Sequence, residues 1–205
     1  NGKRFHLRPK VMALGSGFYF AARIDEFMLP ELRQIVETHG DASSVAMLDG
    51  TDVIYIAHHS TQRARRASAV VGARYPAHAT SLGRVLLAGL PDDALEAAMD
   101  AMAPVALTTR TVTDKAELRR LILDARATGY ATTVDQLDYG ITALAVPIRA
   151  ADGQVVAALN SSGYTGLVTP EKMVADRLPD LRAAASRLSA ATARIPALSA
   201  LLTRP

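Results

Sequence analysis

Apolar residues along this chain change period twice, and those changes sketch the architecture. From Val11 to about Ile24 the apolar positions Val11, Leu14, Phe18 and Ala21 fall at helical spacing, although Gly15 and Gly17 weaken that helix unless it packs closely. A second helix is expected from Leu29 to His39, with Leu32, Ile35 and Val36 on one face and Gly40 as its stop. The pattern then alternates. Ser44 to Leu48, the turn Asp49-Gly50 and Val53 to Ala57 predict a β-hairpin, and a further strand is expected from Ala67 to Val71. Helical spacing returns after Thr80-Ser81, which caps a helix running to Gly89, and Pro91-Asp92-Asp93 opens another through Met102. Thr113-Asp114 precedes an amphipathic helix that turns Leu118, Leu121, Ile122 and Ala125 inward and ends at Gly129. Three strands follow, Tyr130 to Val134, Ile141 to Ile148 and Val155 to Asn160, with Asp152-Gly153 turning the last two into a hairpin. Thr169-Pro170-Glu171 begins a long helix to about Ala193, and the opening Arg4 to Pro9 alternates as a strand does. This order predicts α/β content with α+β topology: a mixed, largely antiparallel sheet with helices on its faces.

Composition narrows the picture. A chain of 205 residues, 49% hydrophobic and 21% charged, has room for one continuous core. No apolar run approaches the roughly 20 residues that cross a bilayer, and the absence of cysteine removes disulfides, thiolate metal sites and thiol nucleophiles. The expected location is cytoplasmic. A net charge of +3 is too small to make the whole chain a nucleic-acid binder, but Lys3, Arg4, His6, Arg8 and Lys10 crowd the first ten residues without an acid. Arg63, Arg65 and Arg66 form a second group. Either cluster reads as a solvated face or as a contact to an anionic polymer. The start at Asn1, without Met or a signal-peptide core, reads as a boundary inside a longer protein.

Two kinds of chemistry compete. For a hydrolase or isomerase the candidates are His58, His59, His78 and Ser81, with His78 as acid or base. No HExxH, GxSxG, P-loop or GxGxxG accompanies them, and adjacent strand residues such as His58 and His59 point to opposite faces and cannot easily share a metal. The expectation is therefore no enzyme, no metal and no cofactor. A binding site has better material. Tyr75-Pro76-Ala77-His78-Ala79-Thr80-Ser81-Leu82-Gly83-Arg84 runs through a proline turn into a helix N-terminus, where unpaired N–H groups and the macrodipole suit a small carboxylate or phosphate. Thr133, Asn160, Ser161 and Ser162 are candidates to face it from the sheet, although Asn-Ser-Ser-Gly is also turn chemistry.

The run Gly72-Ala73-Arg74-Tyr75-Pro76-Ala77-His78-Ala79-Thr80-Ser81-Leu82-Gly83-Arg84-Val85-Leu86-Leu87-Ala88 resembles the signature stretch of IclR-family transcription regulators. Phe5 to Gly15 resembles the end of that family's winged helix-turn-helix and the start of its linker helix, and Val45 to Gly50, Gly129 to Ala131 and Ala145 to Ile148 resemble further family segments. Ser60-Thr61, Arg63 and Thr80 to Arg84 look closest to the branch that senses protocatechuate, hydroxybenzoate or β-ketoadipate-type acids. The resemblance implies a six-stranded, GAF-like effector domain over residues 26–195, after a wing remnant at 1–10 and a linker helix at 11–25, with a tail at 196–205. It implies an effector carboxylate on the amides of Ser81 and Leu82, and pocket positions at Ala64, Ala67, Tyr75, Thr133, Ala143, Asn160 and Ser162, with Asp135 a neighbouring acid. Small Ala64, Ala67 and Ala143 beside Tyr75 suit an aromatic or six-carbon acid. It further implies operator DNA bound through the N-terminal domain, Lys3, Arg4 and Arg8 on phosphates, and a homodimer or tetramer. The alternative is a free-standing GAF-like small-molecule sensor.

Overall fold

Two Asp-Gly turns organise the sheet. Gly50 (φ +62°) and Gly153 (φ +87°) take the left-handed backbone that a tight hairpin turn demands and that a side chain resists. They fold β1 (Ala42–Asp49) onto β2 (Asp52–Ser60) and β5 (Ile141–Arg149) onto β6 (Val155–Tyr164). Pairing of β1 with β6 joins the hairpins, and β3 (Arg74–Pro76) and β4 (Ala131–Val134) form the edges. The six-stranded order is β3-β2-β1-β6-β5-β4, and every pairing is antiparallel. This computed structural model describes residues 9–61 and 69–194. The expected strand before Pro9, the basic positions Lys3, Arg4 and Arg8, the positions Ala64 and Ala67 and the C-terminal tail lie outside the described residues.

Each sheet face has its own core. On one, α2 (Ile24–His39) and α6 (Pro170–Arg194) bury Ile24, Met28, Leu32, Leu181 and Leu188 against Val45, Leu144, Val146 and Leu159. On the other, α3 (Ser81–Ala88), α4 (Asp92–Ala101) and α5 (Lys115–Thr128) bury Leu82, Leu86, Leu95, Leu118 and Ile122 against Ala46, Ala145 and Ala158. Alanines on the strands under α3 let that helix, buried at all eight positions, lie close to the sheet.

Two expected elements differ. The helix expected from Val11 to about Ile24 ends at Ala21 as α1 (Met12–Ala21), because Arg23 adopts a left-handed backbone (φ +49°) and separates it from α2. The second helix therefore starts at Ile24, not Leu29, and Pro30 sits inside it. Proline in a helix interior forfeits a hydrogen bond, but burial of Ile24 and Met28 on the sheet outweighs that loss. The strand expected over 67–71 is also misplaced. Val70 and Val71 stay more than half exposed in a turn, and the strand forms at Arg74–Pro76, where Arg74 reaches Asp49 and Asp52 across the hairpin.

Candidate functional site

The site begins with an irregularity in β2. Ala46 pairs with Tyr55 but Val45 pairs with Ala57, so β2 carries an extra residue at Ile56. Side chains three apart on a regular strand face opposite ways; this bulge turns Tyr55 and His58 to the same face, where their rings stack at 6.5 Å. Ser44 stands in register with His58 on one side and Asn160 on the other. One step along, Ser162 lies between Ala42 and Ala143, and Ala143 faces Thr133. These two rows continue the face that α3 to α5 cover, beyond the point where α3 begins. They form the floor of a cavity of about 980 Å³, at the top of the usual range of about 300–1,000 Å³ for small-molecule sites. Tyr55, Tyr75, Leu107, Leu137 and Leu167 give it an apolar wall, and Pro76, Ala79, Thr80 and Ser81 bring the start of α3 to its rim.

That helix start is built to leave donors free. Thr80 has an extended backbone and its hydroxyl accepts the N–H of Gly83 (2.9 Å), while its carbonyl accepts the N–H of Arg84 (3.1 Å). The N–H groups of Ser81 and Leu82 precede these bonds and have no acceptor among the described residues. The Ser81 hydroxyl is itself buried without a hydrogen-bond partner among the described residues. First-turn amides lack acceptors in any helix, but a buried hydroxyl without a partner beside them is rare, and together they make a donor cluster suited to an anion.

Among the described residues no Lys or Arg lines the cavity, and the field at its α3 rim comes from the helix-start dipoles with the buried Arg84 behind them. Arg84, 2% exposed, donates to the Thr132 carbonyl (3.3 Å) and to the Gln136 side chain, both neutral, and its Nε has no partner among the described residues. Burial brings its guanidinium down to about 10, so it remains charged at neutral pH. A buried cation with no carboxylate in ion-pair contact among the described residues, and only Glu117 interacting with it at longer range, raises the potential around the first turn of α3. The cavity's Asp41 is balanced by Arg177 of α6, 3.4 Å away, which also donates to Ser161 (2.9 Å).

Tyr75, Ser81, Thr133, Ala143, Asn160 and Ser162 all line this cavity. Leu82, fully buried, turns its side chain into the core and is not itself part of the cavity wall; its N–H lies one residue beyond Ser81, which is. Asp135 is not on the wall: its carboxylate accepts from the Gly140 N–H (2.7 Å) and the Thr165 hydroxyl (2.8 Å), which holds the loop before β5. Ala64 and Ala67 lie outside the described residues. Asn160 to Ser162 are strand, not turn, since β6 runs on to Tyr164. His78 is buried away from the cavity and donates from Nε2 to the Val105 carbonyl (3.1 Å). Among the described residues no cluster of three or more His, Cys, Asp or Glu is placed to hold a metal. Ser44, Tyr55 and Asp41 are among the cavity residues absent from the sequence-based reading, and His58, named there only for acid–base or metal chemistry, joins them. Their signal was the hairpin register, which the bulge hides.

Burial holds both His58 and His78 below the ordinary histidine range. The unfolded chain therefore takes up protons first as pH falls below about 6.5. Stability is complete above that value and declines as pH drops towards the folded-state values. Thermal unfolding at pH 7.5 and 5.5 checks this: a His78→Gln variant should lose less stability over that interval than the wild type.

Comparison with known proteins agrees with this geometry. Residues 21–190 match the family model described as bacterial transcriptional regulator IclR C-terminal. The Pca regulon regulatory protein of Pseudomonas putida is 36% identical over 92% of the chain, which spans 65% of that protein's length. A transcriptional regulator from Rhodococcus sp. RHA1 superposes with a TM-score of 0.83 at 36% identity, over 96% of this chain and 78% of that one. An IclR homologue from Microbacterium hydrocarbonoxydans, solved with 4-hydroxybenzoate, superposes with a TM-score of 0.77 at 26% identity, over 95% of this chain and 76% of that one. These proteins are regulators, not enzymes, and among the described residues no helix is long and apolar enough to cross a membrane. The chain belongs to the IclR family of bacterial transcriptional regulators, and its cavity lies in that family's effector-binding domain.

Proposed function

We propose that the cavity senses a small organic acid, aromatic and hydroxybenzoate-like or a six-carbon acid of the β-ketoadipate type. Its carboxylate is held by the amides of Ser81 and Leu82, and its carbon skeleton lies against Tyr75 over Thr133, Ala143, Asn160 and Ser162. The observation that carries this reading is the donor cluster at the start of α3, two amides and a buried hydroxyl without partners among the described residues, beside a cavity floored by small and polar residues. Arg84 adds favourable potential from behind. The 4-hydroxybenzoate bound by the Microbacterium homologue supports the aromatic class.

In the complete protein, occupancy would alter how two copies pair, and the linker over 11–25 would pass that change to paired DNA-binding heads. The route we favour starts at Asp41 on the cavity wall. It passes through Arg177 into α6, and from α6 to α2 through the Arg187–Glu31 (2.7 Å) and His39–Asp180 (2.8 Å) pairs. Coupling of about 1–3 kcal/mol would change operator occupancy several-fold. Lys3, Arg4 and Arg8 would then contact phosphates.

Titration calorimetry with protocatechuate, 4-hydroxybenzoate, β-ketoadipate and pyruvate tests the ligand class. At least one of the first three should bind at least about tenfold more tightly than pyruvate, a difference of about 1.4 kcal/mol. A preference for pyruvate would contradict the aromatic or six-carbon assignment.

A further inference from the structure

The cavity has a second polar end that the carboxylate site does not use. The Ser44 N–H donates to Asn160 Oδ1 (2.8 Å), which fixes the side-chain amide of Asn160 with its oxygen against β1. The Ser44 hydroxyl lies 2.9 Å from His58 Nδ1. Either group can donate in this contact; in the arrangement proposed below the serine hydroxyl donates and the imidazole proton sits on Nε2. Burial, and then the neighbouring His59, keep the ring neutral at neutral pH. Tyr55 stacks on the ring and holds its plane (27° between the two). Nε2–H has no acceptor among the described residues, although the side chain lines the cavity. His58 stands two strands from Asn160, roughly 10 Å across the sheet at about 4.8 Å per strand.

Building on the reading that an organic acid docks by its carboxylate at α3, we propose that His58 donates from Nε2 to a second oxygen of that acid. The cavity then selects acids that carry an acceptor remote from the carboxylate, a ring hydroxyl or a second carboxylate. Ser44 is the positioning residue: its hydroxyl sets the tautomer, and its backbone sets the Asn160 amide, so one residue of β1 orients the donors on both neighbouring strands.

Calorimetry with two matched pairs tests the proposal: 4-hydroxybenzoate against benzoate, and adipate against hexanoate. In His58→Phe, which keeps ring volume but cannot donate, affinity for at least one oxygen-bearing partner should fall about tenfold or more, with its matched monofunctional acid within about twofold. His58→Gln, which retains an N–H donor, should recover part of the loss, and Ser44→Ala should give an intermediate one. A loss confined to 4-hydroxybenzoate supports the proposal and assigns a ring hydroxyl; one confined to adipate supports it and assigns a second carboxylate. Equal weakening of both members of each pair, or no change in any, overturns it, since the ring would then only shape the cavity. If the wild type binds none of the four acids, the carboxylate reading falls and this proposal falls with it.

Discussion

Replacing Gly83 with alanine should destabilise the domain by at least about 3 kcal/mol, at or beyond the upper end of ordinary overpacking. An added Cβ would lie 2.2 Å from the Ala77 carbonyl oxygen and 2.3 Å from its Cα. Both are backbone atoms of the short 3-10 turn Ala77–Ala79, so no side chain can rotate aside. Relief requires α3 to separate from that turn, yet the two are joined by the Thr80 cap and α3 is buried along its whole length. Binding should suffer as well, because the displaced segment is the rim that presents the Ser81 amide. Gly15→Ala is the control. Its Cβ meets nothing within 4 Å on α1, and alanine is favoured over glycine in a helix by up to about 1 kcal/mol. Urea unfolding of the two variants should therefore move in opposite directions.

Ala143→Phe should separate binding from folding. Ala143 sits on the cavity floor between Thr133 and Ser162. A phenyl ring there would enter the cavity, not a packed core, so the melting temperature should hold or rise as apolar surface gains contacts. The same ring would occupy the place assigned to the carbon skeleton of the acid. Affinity should fall about 100-fold or more, about 2.7 kcal/mol, by calorimetry. If the variant instead bound the acid like the wild type, the ligand would have to sit elsewhere.

Much of the architecture could be read from the chain because it is specified locally. Asp49-Gly50 and Asp152-Gly153 announce their hairpins, Thr80 and Asp114 cap α3 and α5, and the spacing of Leu118, Ile122 and Ala125 marks a buried face. Errors arose where tertiary burial overrode local preference. The second helix was expected only from Leu29 but begins at Ile24, with Pro30 inside it, and Val70 and Val71 suggested a strand but stay more than half exposed. The site divides in the same way. The amides at Ser81 and Leu82 follow from the cap alone, whereas His58 depends on the bulge at Ile56. With a regular register set by the Asp49-Gly50 turn, Ser44 would face Ala57 and His58 would point to the opposite core. Nothing in the local pattern of β2 marks where that extra residue falls. Asp135 is off the cavity wall for a related reason: proximity in sequence to Thr133 did not reveal that Gly140 and Thr165 use its carboxylate.

A crystal structure of the domain with 4-hydroxybenzoate or protocatechuate would test the central idea most directly. It should place the carboxylate within hydrogen-bond distance of the Ser81 and Leu82 amides, with the ring over Ala143. An acid bound outside the sheet cavity, or lying in it with the carboxylate turned away from α3, would contradict the account.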